Sequence, residues 1–112
     1  MSVMFSQMKL PGGKEAYTWE HLTTAARDGA WLLRPDRPDK TVEIFGTFGA
    51  SASVAVQSYG DGSTGIGMTD RDGTLIGATA DAVLTLVENP YGIRPYLSDG
   101  DGDTDITVRI VC

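Results

Sequence analysis

Thr41-Val42-Glu43-Ile44-Phe45-Gly46-Thr47-Phe48, followed after the Gly49-Ala50 turn by Ala52-Ser53-Val54-Ala55-Val56-Gln57-Ser58, decides the class of fold. Val42, Ile44 and Phe48 share one face, and Thr41, Glu43 and Thr47 share the other. In the second run Ala52, Val54 and Val56 alternate with Ser53 and Gln57. A repeat of two marks a half-buried strand, because successive side chains leave an extended backbone on opposite sides. Gly46 interrupts the first run and predicts a bulge or the close approach of another backbone.

The rhythm continues through 65–69, 74–78, 82–88, 92–97 and 105–112. Turns close these runs: Tyr59-Gly60-Asp61-Gly62 and Asp70-Arg71-Asp72-Gly73 place glycine where a hairpin needs a left-handed residue. Asn89-Pro90 marks another turn. Residues 83–87 are almost wholly apolar, which predicts a central strand covered on both faces. Pro95 has no N–H to donate and puts its run at a sheet edge. Seven short strands at spacings of about 8–12 residues predict an all-β fold, an antiparallel β-sandwich of Greek-key or jelly-roll type.

Upstream the pattern is less regular. Residues 1–16 read as an extended N-terminal arm with apolar Val3, Met4, Phe5, Met8 and Leu10, ended by Pro11-Gly12-Gly13. The arm either covers its own domain or lies on a neighbouring subunit, where methionines adapt to irregular surfaces. Residues 17–112 form the single β-sandwich domain, since 112 residues are too few to divide between two cores. Tyr17 and Trp19 alternate with Thr18 and Glu20, favouring an extended segment over a helix capped by Thr18. Ala30-Trp31-Leu32-Leu33 is a second short apolar run. Two prolines make residues 34–39 an extended connector.

Charge and composition narrow the function. A formal net charge of −6 disfavours nucleic acid, which requires a basic stripe. Arg34, Arg37 and Lys40 cluster, but Asp36 and Asp39 alternate with them. No window reaches the roughly 18 apolar residues of a membrane span, and residues 1–8 lack the pattern of a signal peptide. Cytosolic synthesis is the expectation. The one cysteine, Cys112, reads as the end of an apolar strand.

Catalytic chemistry finds little to use. His21 is the only histidine, no Gly-x-Ser-x-Gly elbow is present, and the glycine runs match no phosphate-binding fingerprint. The acidic loop Asp99-Gly100-Asp101-Gly102-Asp103-Thr104-Asp105 resembles a calcium loop in composition. It places Thr104 where an EF-hand has Gly and Ile110 where it has Glu. A solvated hairpin loop is the better reading. No catalytic, cofactor-binding or metal-binding residues are therefore assigned. Trp19, Trp31, Tyr59, Tyr91 and Tyr96 could form a sugar-binding platform, although core or interface anchors explain them more simply.

One resemblance sharpens the expectation. Asp39-Lys40-Thr41-Val42-Glu43-Ile44-Phe45-Gly46-Thr47-Phe48-Gly49 resembles the opening of small β-rich virion proteins of tailed bacteriophages. So do the turn at 59–62, the turn at 70–73, Glu88-Asn89-Pro90-Tyr91-Gly92-Ile93-Arg94-Pro95, and the ending at 100–108. Upstream Trp19-x-x-Leu22 and Asp28-Gly29 also fit, so the similarity spans about residues 17–112. It departs at 58–65, where no aromatic residue follows the turn.

The resemblance implies a non-enzymatic virion structural protein that decorates or cements the outer capsid. It would be made in the host bacterial cytoplasm and would contact the major capsid protein, as a homo-oligomer (trimer or dimer). The arm residues Met4, Phe5, Met8 and Leu10, with Trp19 and Trp31, are the expected protein contacts, and the arm would order on the capsid or on a neighbouring copy. Alternatives are a head–tail or tail accessory protein, or a carbohydrate- or cell-surface-binding β-sandwich module using the aromatics and calcium at 99–105.

Overall fold

Alternating residues become strands where one face can be buried against a second sheet. A computed structural model describes residues 2–33, 40–60, 65–69, 73–86 and 91–112. Among these the chain forms β1 (Phe5–Lys9), a 3-10 turn (Pro11–Gly13), β2 (Glu15–Leu22), β3 (Lys40–Thr47) and β4 (Ser53–Ser58). The short β5 (Ile66–Gly67) and β6 (Gly77–Ala78) follow, then β7 (Ala82–Leu86), β8 (Ile93–Ser98) and β9 (Asp105–Val111). The expected turns and connector at 34–39, 61–62, 70–72 and 89–90 lie outside the described residues.

The fold is an all-β sandwich of two antiparallel sheets. The larger has the order β1-β2-β9-β3-β7. In the smaller, β4 is flanked by β8 on one side and by β5 and β6 on the other. Tyr17 and Trp19 of β2, Val42 and Ile44 of β3, and Ile106, Val108 and Ile110 of β9 face inward. They meet Val54 and Val56 of β4 and Ile93 and Leu97 of β8. Burial of each such side chain contributes about 1.5–3 kcal/mol. Cys112 is buried at the end of the same core.

Several expectations change on the structure. The arm is built into the chain's own sheet: β1 pairs with β2 from Phe5↔Trp19 to Lys9↔Glu15, and Val3 bridges Gly29. Residues 15–16 already belong to β2. β7 is an edge strand, paired with β3, and its Val83 is 69% exposed. Leu84 and Leu86 face the core while Val83 and Thr85 face out, so the apolar run concealed an ordinary alternation.

Pro95 has the predicted relation to an edge. β8 is bordered by β4 and, on its other side, by an irregular segment. There Gly29 N donates to Pro95 O and Leu97 N donates to Arg27 O. Because a residue's N–H and C=O leave a strand on the same side, the donor Pro95 lacks would have pointed at this segment. It meets β8 in isolated bridges, Asp28↔Tyr96 and Leu32↔Ile93.

A bulge at the end of β2 was not foreseen. Trp19 pairs with Val108 and Leu22 with Ile106, so β2 has one residue more than β9 across this interval. His21, at φ 64°, takes up the difference. The extra residue returns Leu22 to the face of Trp19, and both are fully buried.

The acidic loop acts as a clamp between two turns. The Asp101 carboxylate accepts from Ala50 N at 2.9 Å and from Asp103 N at 2.9 Å. Thr104 Oγ1 accepts from Asp101 N and donates to Phe48 O at 2.7 Å. Gly49, at φ 71°, leaves space for the carboxylate, which a Cβ there would strike. Hydrogen bonds from the Ala50 and Asp103 amides hold the Asp101 pKa below its usual 3.8.

Two outcomes follow from this geometry. A Cβ on Gly46, at φ 134°, would stand 2.5 Å from Asp105 O. Gly46→Ala should therefore lower unfolding free energy by about 1–3 kcal/mol in urea titrations, whereas Gly102→Ala, with open space around it, should change little. Asp101 stabilises the fold in its ionised form. Its contribution is complete above pH 3.8 and is lost as pH falls through the depressed folded value. Thermal melts of wild type and Asp101→Asn should thus differ at pH 7 and converge in acid; a gap unchanged down to pH 2 would refute the clamp.

Candidate interaction surfaces

Trp31, Tyr59, Tyr91 and Tyr96 gather at one corner, on the outward face of the smaller sheet. Arg94 and Tyr96 alternate with the inward Ile93 and Leu97 along β8, and Tyr59 continues the outward side of β4. Leu32 N and O exchange hydrogen bonds with Ile93, which turns Leu32 into the core and sets Trp31 over the outside. The Trp31 and Tyr59 rings lie 5.0 Å apart at 58°, and those of Tyr59 and Tyr91 lie 5.0 Å apart at 84°. These tilted and edge-on contacts are favourable for aromatic pairs. They do not make the flat platform that stacks on a sugar ring.

Arg94 braces the corner from beneath. Its guanidinium carbon is 4.4 Å from the Trp31 ring centroid and 5.7 Å from that of Tyr96. Nε donates to Gln57 Oε1 at 2.9 Å, and Nη1 lies 3.4 Å from Asp28 Oδ2. The arginine is only 8% exposed, so its charge is met by Asp28 and by aromatic faces. Tyr91 stands at the rim, 60% exposed, and the side chain of exposed Leu33 lies against Gly92. Asp28, Gln57 and Arg94 were absent from the sequence-based candidates. They are distant in sequence, and pairing of β4 with β8 brings Gln57 opposite Arg94.

The second surface is the outward face of the larger sheet. Met4, Met8, Phe45 and Val83, all exposed, belong to it. At its middle Arg109 of β9 lies opposite Glu43 of β3, Nε to Oε1 being 3.4 Å. An open groove of about 510 Å³ runs there, lined by Glu43, Phe45, Asp81, Val83 and Arg109 among others.

The expected contact residues separate accordingly. Met4 and Met8 are exposed, while Phe5 turns inward onto Tyr17 and Trp19, at ring distances of 5.7 and 5.4 Å. Leu10 is partly covered. Trp31 belongs to the aromatic corner. Trp19 is a correction: it is fully buried, its Nε1 donates to Ala30 O at 3.0 Å, and Gly29 lies directly against its indole. It cannot touch a partner.

His21 is exposed and its Nδ1 lies 3.0 Å from Asp105 Oδ1, with Glu20 nearby. Its close charged neighbours are carboxylates, and the bulge gives it a structural position. Among the described residues no group of three or more His, Cys, Asp or Glu side chains is placed to hold a metal ion. No helix among them is long and apolar enough to cross a membrane.

No protein-family model matches the chain, and no curated protein matches it significantly. Among solved structures, the crystal structure of protein NMB1881 from Neisseria meningitidis is similar to 99% of this chain and 84% of that one. The TM-score is 0.49 and the sequence identity 13%.

Proposed function

We propose that this chain is a non-enzymatic structural protein of a tailed-phage virion that decorates or cements the outer capsid shell by protein–protein contact. The motifs at 39–49, 88–95 and 100–108 supply the virion part of the reading. The aromatic corner is the observation that carries the contact part. Trp, Tyr and Arg are enriched in interface hot spots, and Trp and Tyr offer large, rigid surface at little entropic cost. Here a buried Arg94 braces Trp31, Tyr59 packs on Trp31 and Tyr91 packs on Tyr59, all before any partner arrives. On a symmetric shell many copies repeat one contact, and linked copies gain about 10²–10⁴ in apparent affinity.

The clustering of Trp31, Tyr59, Tyr91 and Tyr96 also supports a second reading, a carbohydrate- or cell-surface-binding module. The ring angles of 58° and 84° favour protein contact over it. Glycan-array binding lost in Trp31→Ala would reverse that order.

Mass-spectrometric stoichiometry of purified virions tests the main proposal. Shell decoration requires on the order of hundreds of copies, against about six to twelve at a tail position. Tyr91→Ala should reduce occupancy by about tenfold, the effect of removing a hot spot worth roughly 1–2 kcal/mol, without lowering the melting temperature. Full occupancy by this variant would remove the corner from the contact.

A further inference from the structure

We infer that the outward face of the five-stranded sheet is the contact between two copies of this chain, related by a two-fold axis running along the strands between β9 and β3. Strand register places Ser6, Thr18, Arg109, Glu43 and Val83 in one row across the middle of that face. Such an axis keeps each row on itself and exchanges β9 with β3 and β2 with β7. Arg109 of each copy then stands over Glu43 of the other, and Val83 stands over Thr18. This is the reciprocal pattern that a closed dimer requires.

The charges of the row select this operator. An axis centred on β9 would set Arg109 over Arg109, and so would one lying across the strands along the row. Like charges facing each other at a contact oppose both arrangements. Arg109 and Glu43 both stay within reach of a second copy, their side chains being 33% and 37% exposed.

The centre of the face suits a dry contact and its margin is wet. The neighbouring rows bring Val111 over Thr41 and Thr107 over Phe45, no lysine stands in the middle row, and the exposed carboxylates of Glu20 and Asp81 lie at the rim, where water still reaches them. Threonine and valine on facing strands pack at the usual sheet spacing of about 10 Å. Strands about 4.8 Å apart and some 20 Å long offer on the order of 500 Å² of flat area per copy. Two copies together cover on the order of 1,000 Å², where specific interfaces begin. The same contact explains why Val83, on an edge strand, is apolar and 69% exposed in the single chain.

Sedimentation velocity on purified full-length protein decides the matter. Wild type should be dimeric at about 100 µM. Glu43→Arg and Arg109→Glu should each weaken the dimer by about tenfold or more, because one places four arginines at the contact and the other four glutamates. Mixed in equal amounts, the two should form a heterodimer, since the arginine face meets the glutamate face. Mixing cannot restore a pair that matters only inside one chain.

Val83→Asp provides a variant on a solvated site; it should keep the wild-type melting temperature and lose the dimer. A monomeric wild type, a mixture of variants that stays monomeric, or a dimer indifferent to Val83→Asp would each overturn the inference. The result stands apart from the capsid proposal. A dimer missing from virions would sink that proposal alone, and a monomer found on virions would sink this one alone.

Discussion

The larger sheet depends on β9 lying between β2 and β3. Residues 15–22 and 40–47 come early, yet they do not pair with each other; each pairs with residues 105–111. Glu15 and Cys112 complete the junction by exchanging two backbone hydrogen bonds of 3.0 Å. Closing so long a loop is entropically costly, and the return is the burial of Ile106, Val108 and Ile110 against the opposite sheet. The early strands of the large sheet therefore remain without their central partner until the late one arrives. β1 and β7 add edges to a structure that β9 has made possible.

Much of this was readable because the period of two is enforced wherever one side is wet and the other dry. β3, β4, β8 and β9 fall within about a residue of their alternating runs, and Gly46 marks the close approach of Asp105. Reading failed where periodicity loses its meaning. At Trp19-x-x-Leu22 an odd spacing would place the two side chains on opposite faces, and only the bulge at His21 reconciles them. In the run from Val83 the first outward residue is itself apolar and only Thr85 marks the wet face, so the alternation was hard to see and an edge looked like a centre.

The candidate surfaces were less legible. Tryptophan content pointed to contacts in general and could not distinguish Trp19 from Trp31. What separates them is Gly29, whose missing side chain lets the chain pass directly over the Trp19 indole. Asp28 and Gln57 gave no signal in isolation, because their role exists only after Arg94 has been brought between them. A buried guanidinium requires its charge to be met, and sequence neighbours do not meet it.

The two sheets turn unlike faces to the outside: one carries the Trp31–Tyr59–Tyr91 corner over Arg94, the other the Arg109–Glu43 row. A molecule so divided has a back and a front. Joined back to back, two copies would point their aromatic corners in opposite directions across four stacked sheets, on the order of 30 Å apart. Such a pair would be divalent, one corner free to seat on a surface and the other left facing away from it.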